Sequence, residues 1–381
     1  MRSAIKTLAV LALAVVFPCL TLAQYTRTDL VTNSGAGGTV NDPHLVNAWG
    51  LVSTGTSPYW VSDNATGLST LYSISNTNGV VGATTVGLVV TVPSLTGGQG
   101  TPTGIVAPET PSTVTAFAVT NTQTHVSKSS LFIFATQDGT IRGWNPAVGG
   151  TNATLAADRS SAGATYTGLA IANNNGQPLL YAADDGQNRR IDVFDSNFKL
   201  ANEQLGPNAF VDPKIPKNFA PYGIQTITSE DGEQTIWVTY TSLDNSPGGF
   251  VAAFTPGGEL RSHHSLHGPL DSPWGVALAP DNFGPFSGAL LISNNDAIGR
   301  INAFDRESGE FLGPLRDQHG KPIEIDNIWA IQFGQGGVAG SNGNTNQLFF
   351  TAGTHNYGDG TFGVITFEKK KDHDKDSDSD R

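Results

Sequence analysis

The sequence predicts an all-β chain folded as a six-bladed β-propeller, with the ring closed by the N-terminal strand in the last blade. A short apolar strand carrying a small pivot residue recurs at Gly50, Gly104, Gly168, Gly223, Gly275 and Ala330. These pivots stand 54, 64, 55, 52 and 55 residues apart, and a strand-borne period of that size marks propeller blades. No long stretch has helical periodicity; short runs of β-branched and aromatic residues are cut instead by Gly, Asn, Asp and Pro.

Taken in order, the first unit offers strands at 46–52, 59–62, 69–74 and 86–92, and the second at 104–107, 131–136 and 140–144. The third has 167–172, 179–183 and 190–195, and the fourth 222–227, 235–240 and 249–255. The fifth has 274–279, 289–293 and 300–305, and the sixth 328–333, 347–351 and 361–367. Inner strands crowd a narrow axis, so a pivot without a side chain lets neighbouring backbones approach. The aromatics closing the third strands (Tyr72, Trp144, Phe194, Phe254, Phe304, Phe367) are expected between blades, as core. The sixth unit is one strand short, while the alternating stretch 25–31 precedes the first pivot with no blade of its own. Either edge left open would expose unpaired backbone groups, so 25–31 is expected to pair with 361–367 and close the ring.

The ends differ in kind from the propeller, which is expected over 24–368. Residues 1–23 read as a cleaved signal peptide, with Arg2 and Lys6 before the apolar run 8–17 and a small-residue cleavage site at 21–23. Residues 369–381 are almost wholly charged or polar and read as a disordered tail. The one cysteine, Cys19, lies in the signal, so a mature chain would have no disulfide, thiolate nucleophile or cysteine-bound metal. The export signal implies a secreted or periplasmic protein, expected as a soluble monomer with no membrane insertion after cleavage. Its 33 acidic against 21 basic residues give −12, a sign that argues against nucleic acid as a partner.

The strand–turn–strand of residues 179–195, with Ala183-Asp184 before the turn and Arg190-Ile191-Asp192-Val193-Phe194-Asp195 after it, resembles the core of an NHL repeat. The lead-ins Pro221-Tyr222-Gly223-Ile224 and Pro273-Trp274-Gly275-Val276 resemble the start of the same repeat. Taken whole, the chain is similar to an uncharacterised family of exported bacterial six-bladed propellers. That resemblance implies a fold and brings no established activity.

Candidate chemistry sits where second strands end: Asp63-Asn64, Asp184-Asp185 and Asn294-Asn295-Asp296. Such side chains hydrogen-bond turn backbone, which is the favoured reading. The alternative is a ring of oxygen ligands holding Ca²⁺, the ion that carboxylates and amide carbonyls suit. Six-bladed lactonases hold such an ion, although their ligand set does not map onto this chain position by position. His44 and His355 flank blades that would be neighbours in a closed ring, and channel histidines hold metal in related lyases. His263, His264 and His267 share a loop whose spacing suits a transition metal, with a solvated loop favoured. No nucleophile elbow, phosphate loop or His-Glu-x-x-His motif is present. The sequence therefore favours a ligand-binding or protein-interaction module, its partner an unidentified small molecule or protein. A metal-dependent hydrolase or lyase of lactonase type at the channel mouth is the rival. Convergent Asp, Asn, Glu or His side chains at one mouth would favour the enzyme, and an amide-rich or aromatic patch the binder.

Overall fold

The structure is a computed structural model that describes residues 25–108, 116–244, 246–265, 269–337 and 341–367. The expected signal, the charged tail and His267 lie outside these residues. Six antiparallel sheets stand around one axis as a six-bladed β-propeller. Blade one runs outward through Ala48–Val52, Tyr59–Asp63, Leu68–Thr77 and Val80–Thr85. Blade two uses Pro102–Val106, Phe132–Thr136, Thr140–Trp144 and Thr154–Asp158. Blade three has only Tyr166–Asn174, Gln177–Asp184 and Arg190–Phe194. Blade four uses Phe219–Thr228, Gln234–Ser242, Gly249–Phe254 and Leu260–Ser265. Blade five uses Pro273–Leu278, Leu290–Asn294, Ile301–Phe304 and Phe311–Pro314. Blade six combines Ile328–Phe333, Leu348–Ala352 and Thr361–Phe367 with the N-terminal strand Tyr25–Thr32.

The ring closes as the unpaired stretch required. Tyr25 pairs with Phe367 and Thr32 with Thr361, so the last blade gains its outer strand from the other end of the described chain. One expectation is corrected. The outer strand of blade one is Val80–Thr85, not 86–92, and only Val90–Thr91 of the latter pairs, with the far end of the third strand. The apolar run at 86–92 was the attraction, but Val90 and Val92 are buried against blade two while Val80 on the true edge strand is 69% exposed.

No blade is stable alone, because its two faces are apolar and each needs a neighbour. Six apolar clusters answer that need, one at each of the six blade-to-blade interfaces. The third-strand aromatics Tyr72, Trp144, Phe194, Phe254 and Phe304 are buried in them, and Phe367 packs partly buried against the cluster between blades five and six.

The pivots sit where neighbouring inner strands nearly touch. A methyl group on Gly50 would lie 2.3 Å from the Thr103 carbonyl oxygen, and one on Gly223 would lie 2.0 Å from that of Trp274. Hydroxyl groups stitch the same seam. Ser293 Oγ accepts the Gly275 N–H at 2.8 Å and donates to the Trp329 carbonyl of the next blade at 2.7 Å. Thr351 does the same between the Ala330 N–H and the Trp49 carbonyl, 3.1 and 2.5 Å away, which carries the stitch across the closure. In blades two and three the stitch comes from the inner strand: Thr103 donates to Tyr166 O at 2.8 Å and Thr167 to Tyr222 O at 2.7 Å.

Blade three replaces its missing strand with one side chain. Asn202 Nδ2 donates to Ile191 O at 2.8 Å and its Oδ1 accepts the Val193 N–H at 3.0 Å, as a fourth strand would. The Ala201 N–H completes the mimicry by bonding Val193 O at 2.7 Å.

Candidate functional site

Strand alternation turns the residues either side of each pivot toward the axis. The residues before the pivots are Trp49, Thr103, Thr167, Tyr222, Trp274 and Trp329. Their rings meet across the centre: Trp49 stacks on Trp329 at 3.7 Å, Trp274 packs edge-on to Trp329 at 5.9 Å, and Tyr222 lies 6.5 Å from Trp49. Indole N–H groups are satisfied within the plug. Trp49 and Trp329 both donate to Asn47 Oδ1 at 3.0 Å, and Trp274 donates across the axis to Thr167 O at 3.0 Å. Asn47 holds this place with a left-handed backbone, φ +49°, a conformation that asparagine tolerates better than most residues. The channel is therefore shut at one end by packed aromatic rings.

Above the plug lies a mouth rich in amides. Asn64 donates to the Gln137 Oε1 at 3.1 Å and accepts from the Asn47 amide at 3.1 Å. Opposite, Asn295 Oδ1 accepts from the Tyr357 hydroxyl at 3.0 Å and from that of Tyr222 at 3.4 Å. The strand-exit residues all map to this end, and most are engaged locally, with Asp63 and Asp185 the exceptions. Asp184 takes the Thr165 and Gly186 N–H groups and the Asn188 amide, at 2.8 to 2.9 Å. Asp296 takes the Ile298 N–H at 2.7 Å, and the Asn294 amide donates to Pro269 O at 2.8 Å. Asp63 is fully buried with no geometric partner for either oxygen, and desolvation pushes its carboxyl well above the ordinary range. His44 Nδ1 bonds Asp42 at 3.0 Å, whereas His355 Nδ1 bonds Asp359 at 2.5 Å, so each histidine has its own carboxylate. His263 and His264 fall on the outer strand of blade four, away from the channel. Among the described residues no three His, Cys, Asp or Glu side chains come together as a metal-binding group.

Asp185 differs from its neighbours, because no side-chain bond engages its carboxylate. Desolvation, then the adjacent Asp184 charge, push its pKa up to about 6. A raised carboxyl pKa means that ionising the group costs the folded state stability. That cost is absent below about pH 4, where the group is neutral in both states, and complete above about pH 6. Asp185→Asn should therefore stabilise the protein by about 3 kcal/mol at pH 7 and leave it nearly unchanged near pH 3.5. Urea unfolding at both pH values checks this, and an equal effect at the two would sink it.

The opposite end of the channel is open. Five of the six residues after the pivots, Leu51, Ile105, Leu169, Ile224 and Ile331, line a waist of about 10 Å³, while Val276 is buried in the core between blades four and five. Beyond it a funnel of about 280 Å³ opens, lined by residues of blades one to four and six. Its walls are aliphatic (Leu51, Ile105, Val106, Leu169), and Gln225, Gln234, Gln332 and Thr226 stand at its rim. Gln234 Oε1 accepts the Asn173 N–H at 2.7 Å and Gln332 Oε1 the Ser53 N–H at 3.2 Å, which leaves both amide NH₂ groups as donors. Among the described residues no Asp, Glu, His, Lys or Arg lines this funnel. Strand-exit residues drew attention to the other end, although the alternation around each pivot already carried the plug and the funnel.

A closed six-bladed propeller, plugged at one mouth and funnelled at the other, is the class that fold and site define. The chain belongs to the same family as an uncharacterised protein of Acanthamoeba polyphaga mimivirus, to which it is 32% identical over 351 residues, covering 88% of this chain and 78% of the relative. A second uncharacterised mimivirus protein is 29% identical over 359 residues, covering 91% of this chain and 87% of that one. These relatives are viral, where the resemblance had pointed to bacterial proteins. No family model matches the chain. Among solved structures, a catalytically inactive virginiamycin B lyase from Staphylococcus aureus with quinupristin is 11% identical with TM-score 0.49, covering 91% of this chain and 99% of that one. A streptogramin B lyase is 12% identical with TM-score 0.43, covering 90% and 97%. At these identities and TM-scores the likeness says nothing about activity. Among the described residues no helix is long and apolar enough to cross a membrane.

Proposed function

We propose that this propeller is a non-catalytic binding module, and that its site is the open funnel. The observation that carries this reading is the lining: aliphatic walls, amide donors at the rim and, among the described residues, no titratable side chain. Acid–base catalysis needs a group that exchanges protons, and a hydroxyl such as that of Thr226 or Thr228 attacks only when a base activates it; among the described residues this wall has no such base. Burial of an apolar end against Leu51, Ile105 and Leu169 would supply affinity, at roughly 25 cal/mol per Å² removed from water. The free amide groups of Gln234 and Gln332 would select an uncharged ligand with acceptor oxygens. The rival enzyme would work at the plugged mouth, where Asp184, His44 and His355 each bond a partner of their own.

Secretion and an NHL-like origin of blade three fit this reading as further proposals: a rigid ring outside the cell would present its funnel to solutes. Saturation-transfer NMR against a panel of uncharged amides, esters and acyl glycosides tests the site. At least one compound should bind the wild-type protein, and Leu169→Trp, which fills the funnel, should abolish that signal while unfolding stays cooperative. Binding that survives Leu169→Trp would overturn the assignment.

A further inference from the structure

The gap in blade three leaves a second cavity, unconnected with the channel in its lining. The connection between blades three and four has no strand to pair, so it bows away from the sheet after Asn202 and returns at Phe219. Between the bow and blade four lies a groove of about 670 Å³, within the range of small-molecule sites. Its floor is apolar and largely buried: Ile191, Phe210 and Tyr240 are 2%, 7% and 5% exposed, and Ile215 and Phe219 pack beside them.

The rim has the opposite character. Arg189 and Lys217 both line the groove with exposed side chains, and among the described residues neither has an ion pair or side-chain hydrogen bond. Arg190 also lines the groove, but its Nε is held by Asp192 at 2.7 Å. Asp212 is turned inward and buried, accepting the Lys214 N–H at 2.9 Å. Glu203 is the exposed carboxylate of the lining. In a chain of net charge −12, two uncommitted cations over an apolar floor form a local reversal of sign. Fixed cations beside a low-dielectric wall attract anions and favour those able to bury an apolar tail.

From this combination we infer that the groove binds a monocarboxylate with an apolar tail, its carboxylate between Arg189 and Lys217 and its tail over Ile191 and Phe210. Isothermal titration with octanoate and with 1-octanol tests the charge requirement, because the two probes share a tail. Octanoate should bind, octanol at least tenfold more weakly, and the Arg189→Ala/Lys217→Ala double variant should lose at least tenfold for octanoate alone. Glu203→Gln should tighten octanoate and flatten nothing else, and raising the salt should weaken it. Val211→Trp, placed at an exposed lining position, should block the groove without touching the floor. Octanoate that does not bind, binds no better than octanol, or ignores the double variant and Val211→Trp would overturn the inference. So would its displacement by Leu169→Trp, since that variant fills only the funnel. Cooperative thermal unfolding of each variant confirms that the fold survives.

Discussion

Gly223→Ala should destabilise the protein by about 3 kcal/mol or more, although it adds a single methyl group. The added carbon would lie 2.0 Å from the Trp274 carbonyl oxygen and 2.8 Å from Thr239 Oγ1. Neither obstacle is the far end of a flexible side chain. Carbonyl and hydroxyl both belong to the seam, since Thr239 Oγ1 accepts the Gly223 N–H at 2.9 Å and reaches Trp274 O at 3.5 Å. Relief requires two inner strands to separate, and in a closed ring no strand moves without its neighbour. Overpacking costs about 1–3 kcal/mol where side chains can give, so a backbone obstacle belongs at or beyond the top of that range. A graded series makes the point testable. At Gly168 the nearest atoms would be 3.1 Å away, which predicts a loss of about 1 kcal/mol, and at Gly87 nothing lies within 4 Å, which predicts change within about 0.5 kcal/mol. Urea denaturation should return that order. Equal stability across the series would mean that the inner strands are not in contact.

Tyr25→Ala should cost about 3–5 kcal/mol, the usual range for an aromatic side chain deleted from a core. Tyr25 is 1% exposed and its ring lies 4.9 Å from Phe283 and 5.6 Å from Phe367, so it joins blade five to the closing strand. Its hydroxyl donates to the Phe283 carbonyl at 2.7 Å. Tyr25→Phe keeps the ring and orphans that carbonyl, and it should cost about 1–3 kcal/mol. The comparison separates packing from hydrogen bonding at the closure. A Tyr25→Ala protein as stable as wild type would show that the N-terminal strand is dispensable. If the closure matters as described, that variant should also self-associate, because the freed edge of 361–367 would offer unpaired backbone groups.

The fold was legible because propeller signals are local. Glycine at a crowded axis, alternation within short strands and an aromatic at the third strand all lie within a few residues of one another. Closure was legible from a count of edges: 25–31 had no partner and neither did 361–367. The outer strands were harder to read. Val80–Thr85 is half solvated, so its composition is governed by water and not by packing, and the more apolar 86–92 drew the assignment. Asn202 was invisible in sequence for another reason, because one asparagine doing a strand's hydrogen bonding leaves no periodic trace. The site was legible only in part. Asp63, Asp184 and Asn294 are at strand exits as the sequence placed them, but which group is buried, which caps a turn and which faces open space depends on long-range neighbours. The funnel glutamines belong to different blades, and only the closed ring brings Gln234 and Gln332 to one rim.

Closure in a single blade also sets how the molecule would hang from anything attached to it. Tyr25 is paired directly with Phe367, so both ends of the described ring leave from one point on the rim. A tether at either end would therefore suspend the disc from the same spot, with its axis free to swing as on a single hook. Cargo fused to one end and an anchor fused to the other would sit side by side, not across the diameter. Joining residue 367 to residue 25 through a short linker and cutting at an exposed loop should then give a permuted ring with its pairing intact.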